Sequence, residues 1–137
     1  MICNNITELT KELDKCIEMA IKDSADEVKE KLEEYIENYY NEYAPKKYPR
    51  TFQFRNSPKS ISKKNKAEVY IDESMMHYKE ATARQVLDWA NQSLHGGMEV
   101  DGADSMFWDD FMEWVEFDLE DLIAKNLKKY GMEVTKN

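Results

Sequence analysis

NITELTKELDKCIEMAIKDSADEVKEKLEEYIENYYNEY, residues 5–43, sets Ile6, Leu9, Leu13, Ile17, Ala20, Ile21, Val28, Leu32, Tyr35, Ile36, Tyr39 and Tyr43 at three- and four-residue steps. That spacing keeps one face of a helix apolar. Asn5 can cap the start, with Glu8 three residues on. Pro45 closes the pattern and turns Ala44 towards extended backbone. The stretch predicts an N-terminal helix over 5–43. Ser24 and Glu27 form a second cap-like pair, so the helix either runs through or breaks near Ser24. An unbroken helix of this length spans ~57 Å, whereas a compact chain of this size has a radius of gyration of ~14 Å. It must overhang the body and bare its apolar stripe, which a monomer avoids. Contact with another copy is the expectation; folding back at Ser24 is the alternative.

Downstream the character changes. Residues 46–72 alternate β-branched or aromatic residues with polar ones. Ala67, Val69 and Ile71 alternate with Glu68, Tyr70 and Asp72, as in a half-buried strand. Pro58 to Ser62 and Thr51 to Phe54 are weaker extended candidates, and 62–66 is a polar turn, which predicts a hairpin. Pro58 lacks an N–H and belongs at an edge or an irregularity. Residues 79–94 are predicted as a short helix stopped by Gly96-Gly97. A last helix is predicted over 105–130, capped by Asp104 or Ser105 and ended at Gly131. Met132 to Thr135 could add an edge strand. The expected fold is α+β in one domain, 1–137: a long N-terminal helix, a small antiparallel sheet and a C-terminal helix packed on it.

The chain has 137 residues and a net charge of −9. From Tyr43 to Ala67 there is no acid, and eight of the 19 bases fall there: Lys46, Lys47, Arg50, Arg55, Lys59, Lys63, Lys64 and Lys66. The remainder holds 11 bases against 28 acids. Such a split points to an electrostatic contact with nucleic acid, with an acidic partner or with another copy; a solvated loop is the plainer reading. Tyr40, Tyr43, Lys46, Lys47, Tyr48, Arg50, Arg55, Lys63, Lys64 and Lys66 are the candidate basic and aromatic interface. Phe52 and Phe54 interleave with these bases, which suits base stacking, or else they form the inner face of the sheet.

Candidates for chemistry are weak. Glu73 and His77 are four apart, but no further ligand set has metal spacing. His95-Gly96-Gly97 lacks the spacing and the lysine of a phosphate loop. The last helix carries Asp109, Asp110, Glu113, Glu116, Asp118, Glu120 and Asp121, read as a solvated acidic face. Cys3 and Cys16 read as reduced, buried thiols on the apolar side of the first helix. No enzyme, cofactor or metal is expected. No run of apolar residues has membrane length, and the N-terminus has no signal-peptide pattern.

The order of elements resembles a known family. An acidic N-terminal helix ends in Tyr39-Tyr40-Asn41-Glu42-Tyr43. Pro45, Tyr48-Pro49-Arg50-Thr51, Asn56-Ser57 and a basic hairpin follow. Then come His95-Gly96-Gly97, Phe107-Trp108 and a final Lys-Lys-Tyr-Gly. This is similar to the tail-completion or head–tail joining proteins of long-tailed phages, minor virion proteins of the neck. Arg50, Thr51, Ser57, His95, Gly96, Gly97 and Trp108 carry the likeness. Many relatives read Thr-Gly-x-Leu-x-x-Ser where this chain has Phe52 and Phe54 for the Gly and Leu. The resemblance implies an α+β subunit of a homo-oligomeric, six-fold ring around the DNA channel. It would be made in the host bacterial cytoplasm and built into the virion, with no catalytic residue and no cofactor. Its implied partners are connector or head-closure proteins and tail-terminator or tail-tube proteins, with double-stranded DNA passing through unbound and no membrane. The acidic last helix would face the channel, and the basic segment would meet a neighbour. The alternative is a small nucleic-acid-binding or regulatory module using residues 46–66.

Overall fold

The computed structural model describes residues 3–45 and 51–135. Helix α1, Ile6–Asn41, is 36 residues long and unbroken, ~54 Å at ~1.5 Å per residue. Asn5 caps it, its side chain accepting the Glu8 N–H at 2.8 Å, while the Glu8 carboxylate accepts the Asn4 N–H at 2.9 Å. The break at Ser24 does not occur. Ser24 is buried and its hydroxyl donates back to the Ala20 carbonyl at 2.7 Å. Ala20, Ala25, Val28, Leu32 and Ile36 are buried in the same stretch, and their burial favours a continuous rod over a second cap.

Strand β1, Pro58–Lys63, pairs antiparallel with β2, Lys66–Ile71, in the register Pro58↔Ile71 to Lys63↔Lys66. A two-residue turn joins them, with Lys64 at φ 55°. Pro58 opens β1 in a sheet of two edge strands, where its missing N–H breaks no central ladder. Residues 51–54 are not extended. Phe52 is left-handed at φ 59°, the Asn56 N–H returns to the Phe52 carbonyl at 3.0 Å, and Ser57 N–H to Phe54 at 3.1 Å. A non-glycine residue thus holds a left-handed backbone here. That conformation costs a non-Gly residue ~1–2 kcal/mol; the half-exposed Phe52 ring packs 5.9 Å from Tyr40 and under the Arg55 guanidinium.

A 3-10 turn, Glu73–Met75, precedes helix α2, Ala83–Ala90. The predicted span 79–94 is too long at both ends. Thr82 and Gln85 make a full capping box that fixes the start, and Ser93 at φ 61° ends the helix before the glycines arrive. Gly96 at φ 61° and Gly97 at φ 80° form the tip of a tight hairpin closed by His95 and Met98. Two successive positive φ values are what such a turn requires. At Gly97 a Cβ would also meet the Trp89 ring at 3.3 Å.

Helix α3, Phe107–Lys129, starts two residues later than expected and has no side-chain cap of its own. Asn91 caps it from outside, its Oδ1 accepting the Trp108 and Asp109 N–H groups at 3.1 and 3.0 Å. The Asp104 and Ser105 N–H groups go to Glu42 instead. Gly131, φ 89°, ends α3 in a Schellman turn: Gly131 N–H to Lys128 and Met132 N–H to Leu127. With Met132 so engaged, 132–135 forms no strand.

Helix α3 runs back along α1. Tyr35 meets Phe111, Asn126 meets Ser24, and the Tyr130 hydroxyl bonds Asp23. Buried Asn126 donates at 3.0 Å to both Ser24 and Glu27, which sets the register of the two helices. Val28, Leu32, Ile36, Tyr39, Tyr40, Phe54, Met76, Leu87, Phe107 and Phe111 form one core among α1, the hairpin and the C-terminal half. The first ten residues of α1 lie beyond this packing: Ile6 is 82% and Leu9 40% exposed. Cys3 precedes α1 and is half-buried; Cys16 is half-buried with its thiol 3.4 Å from the Tyr130 carbonyl. Neither thiol is fully buried as expected: Cys3 precedes α1, and Cys16 lies on α1 where the cover from α3 ends at Tyr130.

Candidate functional site

The tyrosines at the end of α1 turn inward. Tyr39 and Tyr40 are buried, and Tyr39 lies 5.9 Å from Phe54, which in turn lies edge-on to Phe107 at 5.0 Å. The Tyr39 hydroxyl donates to the Leu94 carbonyl at 2.6 Å, and its ring stacks on His95 at 4.2 Å. The Tyr40 hydroxyl accepts the Arg55 N–H at 3.0 Å. Glu42, one turn on, gathers three segments. Its Oε1 sits 3.3 Å from His95 Nε2, and its Oε2 accepts the Asp104 and Ser105 N–H groups at 2.7 and 2.8 Å. Burial pushes the Glu42 carboxyl up, but those backbone donors and His95 outweigh it and hold the group below its ordinary value. This tie was not legible in the sequence, since neither residue sits in a motif with the other.

Beside it runs an apolar groove of about 510 Å³, lined by Tyr43, Phe52, Tyr78, Trp89, Met98 and neighbours. Burial, and then the nearby Tyr40, pushes the Tyr78 phenol up to about 12. It therefore stays neutral near pH 7. Glu73 pairs with Arg84 at 3.1 Å, while His77 is exposed and donates its N–H to Gln53. Among the described residues, no group of three or more His, Cys, Asp or Glu side chains could hold a metal. Nor is any helix among them long and apolar enough to cross a membrane.

The candidate interface residues separate. Tyr40 is core, Tyr43 is half-buried against His95, and Lys46, Lys47, Tyr48 and Arg50 lie outside the described residues. Arg55 is held by Glu37 at 2.9 Å. Lys63, Lys64 and Lys66 are exposed at the hairpin tip. Pro58, Ser60, Ala67, Val69 and Ile71 turn to the body, Ser60 reaching Asp26 on α1. Strand alternation then places Lys59, Ile61, Lys63, Lys66, Glu68 and Tyr70 on the outer face. Ile61 is 55% and Tyr70 39% exposed.

On α3, ~100° per residue puts Asp109, Glu113, Glu116 and Glu120 on a stripe ~60° wide. Asp110 and Asp121 flank it, and Asp118 falls on the far side. Asp109 accepts from Asn91, and Asp110 from the Met106 N–H. Among the described likeness residues, Ser57 is fully buried, bonded to the Phe54 carbonyl at 2.6 Å, and its own carbonyl holds the Asp72 N–H. His95 is the buried partner of Tyr39. Trp108 is part-exposed at the start of α3, and Thr51 is exposed.

None of the curated proteins and none of the solved structures compared matches the chain. One family profile does, described as YomN, over residues 5–130. That span runs from the cap of α1 to the last residue before the Gly131 turn, so it takes in every element of the fold. The chain belongs to the YomN family, a phage-derived group of Bacillus prophage type.

Proposed function

We propose that this chain is a structural virion protein of a long-tailed phage, completing the tail or joining head to tail as one subunit of a neck ring. The observation that carries the reading is the overhang of α1. A 36-residue helix outruns its cover and bares Ile6 and Leu9, as a building block that expects a neighbour does. The phage-derived family supports it. So does the separation of charge, with lysines at the hairpin tip and an acidic stripe on α3.

In this reading the α3 stripe lines the channel. Duplex DNA must pass without sticking, and each Lys or Arg on a phosphate would add counterion-release affinity. The ring is six-fold, set between connector or head-closure proteins and tail-terminator or tail-tube proteins. It uses no cofactor and makes or breaks no bond. The nucleic-acid module has less support: the Phe54 ring would have to stack a base, yet it is 2% exposed, and Arg55 is engaged by Glu37.

Disrupting the gene in an inducible phage tests the proposal by electron microscopy of the lysate. Filled heads and separate tails are expected, with infectivity restored by the gene supplied in trans. Intact infectious particles without the protein would overturn it.

A further inference from the structure

The hairpin and the bare end of α1 are complementary surfaces that one chain cannot bring together. Ser60 bonds Asp26, which lies ~26 Å along α1 from Leu9 at ~1.5 Å per residue. The outer hairpin face has an apolar pair, Ile61 and Tyr70, ringed by Lys59, Lys63 and Lys66; one acid, Glu68, lies opposite Ile61 and pairs with Lys66 at 3.7 Å, so the face keeps a net positive charge. The overhang has an apolar stripe of Ile6, Leu9 and Leu13. Helical spacing puts Glu12 on one border of that stripe and Asp14 on the other, with Lys11 and Lys15 behind.

We infer that the outer hairpin face of one copy docks on the overhang of α1 in the next. The occupant is a second copy, because the same chain supplies both the missing apolar cover and the opposite charge. An overhang packed on its own twin would instead set acidic borders against each other. Two different patches make the contact head-to-tail, and such contacts close into rings when the rotation allows. The inference rests on the ring reading and names its subunit contact.

Disulfide trapping in assembled particles tests it, in a Cys3→Ser, Cys16→Ser background. A chain carrying both Leu9→Cys and Ile61→Cys should give a ladder of crosslinked species on a non-reducing gel. Either change alone should leave monomer. Within one chain the two sites are too far apart for a bridge, which needs Cα atoms within ~7 Å. Lys63→Glu with Lys66→Glu should abolish the ladder, and adding Glu12→Lys with Asp14→Lys should restore it. Crosslinked dimer from Leu9→Cys alone would overturn the inference in favour of helix-to-helix contact. Particles that contain the doubly substituted chain but yield no ladder would overturn this contact and leave the ring reading standing. Absence of the unsubstituted protein from particles would overturn both.

Discussion

Phe54→Ala is expected to lower the unfolding free energy by about 3–5 kcal/mol, the usual cost of emptying a buried aromatic site. Phe54 is 2% exposed and touches the rings of Tyr39, Tyr40 and Phe107. It thus joins α1, the turn before β1 and the start of α3. Domains of this kind hold only about 5–15 kcal/mol in total. The urea midpoint should fall steeply, with an unchanged slope if unfolding stays two-state. A loss under about 1 kcal/mol would mean that the ring is not central to the core.

Glu42→Ala should cost about 2–4 kcal/mol, because it leaves the Asp104 and Ser105 N–H groups and His95 without their acceptor. Glu42→Gln should cost less, since its amide oxygen can still accept. The charge also makes stability depend on pH. The folded-state pKa of Glu42 is lowered, so its contribution is present above the unfolded value and is lost as pH falls through the folded one. Asp23, bonded by Tyr130 and Lys129, and Glu27, bonded by Asn126, shift in the same direction. Stability should therefore decline below about pH 4.5, the ordinary Glu value. Glu42→Gln should flatten that decline, which thermal unfolding at a series of pH values would measure. An unchanged slope would contradict the assigned role.

The elements were largely legible because their signals are local. The α1 stripe, the Ala67-Val69-Ile71 alternation and Gly131 each act within a few residues. The errors arose where a distant group decides. Ser24 reads as a cap until Asn126 and the buried face of α1 claim it. Asp104 and Ser105 read as caps of α3, yet Asn91 performs that task and Glu42 takes their N–H groups. Phe52 occupies a left-handed position without the residue that advertises one. The tyrosines at the end of α1 suit an interface or a core equally by pattern, and only the fold brings Phe54 and His95 against them. The overhang, in contrast, follows from arithmetic on helix length once α1 runs unbroken through Ser24.

As the neck-ring subunit proposed above, this chain would be built into the phage particle. Quantitative mass spectrometry of purified, DNA-filled particles tests it most directly. A fixed count on the order of six copies per particle is expected, as one closed six-fold ring requires. Its absence from particles, while it remains abundant in the lysate, would overturn the neck-ring proposal.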